Sequence, residues 1–277
     1  MNRTLHALVL ALTLGLAGAV DAADDNRERN ALADQTFVLA GAAKQVDYLQ
    51  RMLKDRIREA RTSLEPETQE LLDRFGVEAL KGDALQIAVR ARFRENFDRG
   101  QAAEAVAWLR SPVGRKVMAL EAQAISAESA AALKDFESEL ESRAPSSERF
   151  VLVNRVLEAS NQPDFHLDAG RALLGGMGKG LDKLKAGDSA ARLGEAEPAL
   201  NASLSQSRAA IDQATFVRFL FAYRGAKDAE LDQYVRFLTS DAGRWLVRTF
   251  QQSTVSAVEA SGEKAVGEVA RAAPPRR

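Results

Sequence analysis

Residues 108–115 read WLRSPVGR, and residues 237–244 read FLTSDAGR. An aromatic-Leu-x-Ser-x-x-Gly-Arg string that recurs in one chain is either a site used twice or a corner turned twice. The side chains favour a corner. Ser111 and Ser240 stand where a helix N-cap belongs, because a Ser hydroxyl accepts a hydrogen bond from an amide two or three residues on. Pro112 takes the first helical position, where its missing amide costs nothing and its fixed φ suits the helix. Asp241 takes that position in the second copy, and its charge favours the positive end of the helix dipole. Pro and Asp share little chemistry beyond being good first-turn residues. Gly114 and Gly243 leave the first turn bare for a close neighbour, while Trp108 and Phe237 fill the angle before the cap. Arg115 and Arg244 are left over. An Arg in the first turn opposes the dipole, so each is expected to meet a carboxylate of its own half, or else an anionic ligand or partner.

Outward from these corners, apolar residues recur at helical spacing, and no stretch of six or more positions alternates as a strand would. Val46, Leu49, Leu53 and Ile57 share one helix face, and that helix should end near Ser63, ahead of Pro66. A second helix is expected from Pro66 with Leu71, Leu72 and Val77, broken at Gly82-Asp83. A third, from about Ala84 to Phe97, turns Leu85, Val89 and Phe93 inward. Gln101–Arg110 leads into the first corner, followed by a stripe of Val113, Val117, Leu120 and Ala124, and then by a helix from Ser126 to Arg143. Ser146 or Ser147 caps a helix carrying Phe150, Val153, Val156 and Leu157, with Pro163 as a break. The short helix Asp228–Thr239 leads into the second corner. Beyond it, Leu246, Phe250, Ala257 and Val258 share a face.

The fold expected is all-α, a helical bundle built from two similar halves. Aligning 104–121 with 233–250 without gaps gives five identities in 18 positions plus the Trp108/Phe237 aromatic pair. Both corners also sit late in their halves, after a long helix and before a long helix, which suggests an ancient duplication. The boundaries expected are a signal peptide at 1–22, an N-terminal helical repeat at 23–145, a C-terminal repeat at 146–268, and a disordered tail at 269–277.

The signal peptide rests on a polar start, Met1-Asn2-Arg3-Thr4, the apolar run LVLALTLGLAGAV from Leu8 to Val20, and the small-x-small string Val20-Asp21-Ala22. That run is too short to span a bilayer comfortably. The chain has no cysteine, which closes the lipoprotein route and excludes disulfides and thiolate metal sites. Export to the bacterial periplasm, or to the medium, is the expected destination. A net charge of −1 gives no electrostatic case for nucleic acid.

The corner also resembles a family of exported bacterial proteins classed as a domain of unknown function, number 2059. Their sequences carry an aromatic-x-x-Ser-Pro-x-Gly-Lys/Arg corner after a helix that contains Glu-Leu. Trp108, Ser111, Pro112, Gly114 and Arg115 match that pattern. Phe237, Ser240, Gly243 and Arg244 match it with Asp241 in place of Pro. Glu230-Leu231 supplies the preceding pair in the second copy, where the first has Gln101-Ala102. The resemblance covers about 40 residues in each half, as two copies in tandem. It implies an all-helical periplasmic domain and brings no activity or catalytic residues with it.

Little else points to chemistry. His166, the one histidine beyond the signal segment, sits between Asp164 and Asp168 and reads as a surface or capping residue, with no nucleophile-elbow Gly-x-Ser-x-Gly to accompany it. A zinc site of two histidines is impossible in one chain. The glycine run Gly170–Gly180 fails the phosphate-loop pattern, because Leu173 stands where the first Gly belongs and Gly180 where the hydroxyl belongs. It reads as a weak helix whose glycines allow close packing or a hinge, the alternative being a mobile lid or a surface meeting lipid or a partner. Arg51, Lys54, Arg56, Arg58, Arg61, Arg90, Arg92 and Arg94 form a basic set for an envelope polymer or, more simply, a solvated face. Glu137 and Glu141 share a helix face, as i,i+4 carboxylates often do. No catalytic, cofactor-binding or metal residue is assigned. The expectation is a noncatalytic protein that holds a partner, an apolar ligand or an envelope component between its halves. The alternatives are an envelope hydrolase using carboxylates and a chaperone-like assembly factor.

Overall fold

Gly41, at φ 64°, and Asn161, at φ 49°, are the left-handed residues of the computed structural model, which describes residues 25–140, 142–184 and 188–272. Each stands between two helices with almost no loop. Gly41 joins α1 (25–39) to α2 (Ala42–Ala60), and Asn161 joins α8 (Ser147–Ser160) to α9 (Gln162–Lys183). Asn tolerates this conformation better than most residues with a side chain. The break expected at Pro163 therefore falls at Asn161, and Pro163 sits in the first turn of α9, where proline is tolerated.

Between these junctions run α3 (Pro66–Ala79), α4 (Gly82–Glu95), α5 (Arg99–Leu109), α6 (Pro112–Ala124) and α7 (Ala130–Leu140). After α9 come α10 (Asp188–Glu195), α11 (Glu197–Gln206), α12 (Arg208–Tyr223), α13 (Asp228–Thr239) and α14 (Asp241–Ala272). The architecture is all-helical, and no strand occurs among the described residues. Ser146 caps α8 as the sequence suggests, its Oγ accepting from Arg149 N at 3.2 Å, and α5 begins two residues before the expected Gln101, capped by Asp98, whose Oδ1 accepts from Gln101 N at 2.9 Å. The signal segment expected at 1–22 and residues 273–277 of the expected tail lie outside the described residues, and α14 is helical to Ala272.

Helix α14, about 48 Å long at 1.5 Å per residue, is the element around which the rest packs. It runs along α9 and also meets α3, α4, α5, α10 and α13. Its contact with α9 is close enough to exclude side chains. A Cβ on Gly176 would lie 2.0 Å from the carbonyl oxygen of Glu259, and one on Gly262 would lie 2.8 Å from that of Leu173. The glycine run is therefore one continuous helix packed against a partner within the chain, so the lid and the lipid-facing alternatives fall away. Lys179 to Glu259, at 2.7 Å, and Lys183 to Glu263 tie the rim of this contact.

One hydrophobic core runs through both halves, from Ala33 and Phe37 of α1 to Val269 of α14. Helix α12 lies deepest: every residue from Val217 to Tyr223 is buried, the pattern of a helix surrounded on all sides. Among the described residues no helix is long and apolar enough to cross a membrane. Two of the apolar residues named on the expected helices lie outside the core. Val77 is 61% exposed, because α3 turns Leu72, Phe75, Gly76 and Ala79 to the core and a five-residue step from Leu72 leaves that face. Phe150 is 48% exposed, its ring resting on Phe216 at 4.7 Å instead of entering the core.

Candidate functional site

The two corners are built alike. Ser111 Oγ accepts from Gly114 N at 3.0 Å, and Ser240 Oγ accepts from Gly243 N at 3.1 Å. A Cβ on Gly114 would lie 2.2 Å from the carbonyl oxygen of Trp108, and one on Gly243 would lie 1.9 Å from that of Phe237. Each glycine thus lets the new helix start against the last turn of the old one. Arg115 Nη1 donates to the carbonyl of Arg110, and Arg244 Nη1 donates to the carbonyl of Thr239, five residues back in both cases. These guanidiniums lie on carbonyls at the C-terminal end of the preceding helix, which carries partial negative charge. Arg244 adds a contact to Asp241 of its own corner at 2.6 Å. Both arginines are exposed. The aromatic residues of the two corners meet instead: the Trp108 and Phe237 rings are stacked, with centroids 4.0 Å apart and planes 3° apart.

Phe237 is also part of the wall of a cavity of about 90 Å³ that lies between the two halves of the chain. Tyr48, Leu109, Met118 and Glu121 come from the first half, and Phe165, His166, Arg218, Phe219, Tyr234, Leu246 and Phe250 from the second. Arg218 is 5% exposed, on the most buried stretch of α12. Its Nη1 donates to the hydroxyl of Tyr48, and its guanidinium carbon lies 4.6 Å from the Tyr48 ring centroid and 5.8 Å from that of Phe219. Glu121 Oε1 accepts from the Tyr223 hydroxyl at 2.6 Å and from that of Tyr234 at 2.8 Å.

Burial governs the protonation of this cluster. It raises the Glu121 carboxyl above the ordinary range, against the lowering effect of the two tyrosine hydroxyls and the Arg218 charge. It also pushes Tyr223 and Tyr234 well above 10.0, aided by the Glu121 charge. His166, 3% exposed, is lowered to about 3 by burial and by the nearby Arg218 charge, so it is neutral at physiological pH. A few polar groups set in an aromatic and aliphatic wall are what a small-molecule pocket requires. A second cavity of about 470 Å³ opens at the surface beside Asp168, Arg244 and Arg248, and it shares Phe165, Val247 and Gln251 with the inner one.

Residues 83–135 match the family "Uncharacterized protein conserved in bacteria (DUF2059)". The DUF2059 segment runs from the first turn of α4 into α7 and contains the first corner, with Trp108, Ser111, Pro112, Gly114 and Arg115. It also contains Glu121. The second corner, at 237–244, lies outside the matched residues. No curated protein and no solved structure matches the chain.

The structure brings Trp108 and Phe237 together near the cavity, with Tyr234 on the same indole, and sets His166 in the cavity wall. Glu137 is exposed on α7, and Glu141 lies outside the described residues. The basic set is divided among local partners: Arg90 and Arg94 bind Asp34 at 2.8 and 2.5 Å, Arg58 binds Asp55, Arg56 binds Glu59, and Arg61 binds Asp73. Burial tends to raise the Asp34 carboxyl, but the hydrogen bonds and charges of Arg94 and Arg90 outweigh it and hold the group below 3.8. The surface reading of His166 is corrected. Asp164 and Asp168 are four residues apart and share the outer face of α9, so the residue midway between them points to the core. Arg218 was missed, although a lone arginine within FVRFLFAY, 216–223, is a visible signal.

Proposed function

We propose that the protein is a noncatalytic helical binding protein of the bacterial envelope, exported through an N-terminal signal peptide, which holds an apolar ligand between two halves that arose by duplication. The observation that carries the ligand reading is the cavity between the halves, whose wall is mostly aromatic and aliphatic. Three features support the duplication. The corners share their cap, their glycine and their arginine-to-carbonyl contact. Packing is reciprocal, since α5 meets α14 as α13 meets α6, and α4 meets α14 as α12 meets α6. Trp108 and Phe237, equivalent positions, touch each other, as residues on a two-fold axis do.

The alternatives draw less support. The large exposed apolar side chains Val38, Val77, Ile87, Phe150 and Val151 are spread over α1, α3, α4 and α8, whereas a chaperone-like factor calls for a continuous patch. A hydrolase built on Glu137 would use a carboxylate on an exposed face, away from the cavity wall.

The test is extraction and mass spectrometry of small molecules from protein purified out of its native envelope fraction. An apolar compound at near-stoichiometric amount, lost when Leu246→Trp fills the cavity, is the expected result. A saturable hydrolytic activity abolished by one side-chain change would sink the noncatalytic reading, and recovery of the full-length precursor in the cytoplasm would sink export.

A further inference from the structure

A guanidinium carries five N–H donors, and the one on Arg218 is poorly supplied with acceptors. Among the described residues its hydrogen bond goes to the Tyr48 hydroxyl, its Nε has no partner, and it forms no salt bridge. The Tyr48 and Phe219 rings offer their faces, which stabilise a cation only partly. Glu121, the one carboxyl group among the described residues of the cavity wall, feels the Arg218 charge but makes no ion-pair contact with it, its Oε1 being taken by two tyrosine hydroxyls. A buried cation without an anionic partner is costly, and an occupant that brings the anion relieves that cost.

We infer that the cavity receives a small monocarboxylate amphiphile, with its carboxylate on Arg218 and its short apolar body against Phe165, Phe219 and Phe250. The inference rests on the apolar-ligand reading above and specifies the ligand's class. Arginine suits a carboxylate because its planar fork matches two oxygens. Charge count selects a monoanion. His166 stays neutral, so Arg218 is the one cation among the described residues of the wall, and a dianionic phosphate would leave a charge unmatched beside Glu121. Size selects a short body, because about 90 Å³ is less than the ~150 Å³ of a dry cavity that accommodates benzene.

The experiment is titration calorimetry of the full chain with propanoate, 1-propanol and propyl phosphate, on the native protein and on Arg218→Met and Arg218→Lys. Propanoate should bind at least about tenfold more tightly than 1-propanol, the factor a charge-assisted hydrogen bond supplies. Arg218→Met should lose that preference and keep 1-propanol binding. Arg218→Lys, which retains the charge but not the fork, should weaken propanoate alone and serves as the probe if the methionine variant fails to fold. Equal binding of propanoate and 1-propanol, or a preference for propyl phosphate, overturns the monocarboxylate assignment and leaves the apolar-ligand reading standing. Binding of none of the three overturns both.

Discussion

The ring of Trp108 lies flat on the ring of Phe237, 4.0 Å between centroids and 3° between planes, although the two residues are 129 positions apart. Each precedes the serine cap of its own corner, so the stack joins the two corners directly. Phe237 is 7% exposed and Trp108 half-buried, with Tyr234 stacked on the same indole at 5.4 Å. Truncating Phe237 to Ala should cost about 3 kcal/mol or more through lost burial and a new cavity. A double-mutant cycle with Trp108→Ala should return a coupling of about 0.5–1.5 kcal/mol. Additive losses in urea unfolding would mean that the rings adjoin without stabilising one another.

The corners should respond unequally to their own residues. Ser111→Ala and Ser240→Ala each remove one cap and should cost about 1 kcal/mol. Gly114→Ala and Gly243→Ala should cost more, over ~2 kcal/mol, because the added Cβ meets a backbone carbonyl that no side-chain rotation can move away. Arg115→Ala should stay within about 0.5 kcal/mol, its contact being exposed. Thermal unfolding of the variants gives the order directly, and a glycine variant as stable as its serine counterpart would show that the corner has slack.

Local rules made the corners legible: Ser, Pro or Asp, and Gly act on neighbours within three residues, so their order in the chain is their geometry. The amphipathic stripes were legible for the same reason, down to Leu85, Val89 and Phe93. The cavity was not, because its polar groups are partners only in three dimensions. Tyr223 and Glu121 are 102 residues apart, and Tyr48 and Arg218 are 170 apart. Glu121 looks like any acidic residue on a helix until α12 and α13 close over it. His166 was misread as a surface residue although its flanking aspartates mark the opposite face of the helix.

The glycines of α9 provide an internal control. Gly176 faces the Glu259 backbone at a separation that excludes a Cβ, whereas Gly178, two residues on, has nothing within 4 Å. Gly178→Ala should therefore stabilise the protein by about 0.5–1 kcal/mol through helix propensity. Gly176→Ala should destabilise it by about 2 kcal/mol or more by forcing α9 from α14. Opposite signs in the two melting shifts are expected. Two stabilising substitutions would mean that the helices are not in contact there.

His166 should leave a signature in acid. Its pKa is 6.5 in the unfolded chain and about 3 when folded, chiefly from burial and then from Arg218. Between those values the unfolded state binds a proton that the native state refuses, so stability falls as pH falls, by up to about 1.4 kcal/mol per pH unit. Glu121 works in the opposite sense: its raised pKa makes the native state bind the extra proton, so its share of stability is lost as pH rises above 4.5. Asp34, held low by two arginines, adds a further loss only below 3.8. Between pH 4 and 6.5 the His166→Gln variant should lower the slope of stability against pH in urea unfolding, and Glu121→Gln should raise it. Parallel profiles for the native protein and His166→Gln would place the imidazole in contact with water and remove it from the cavity wall.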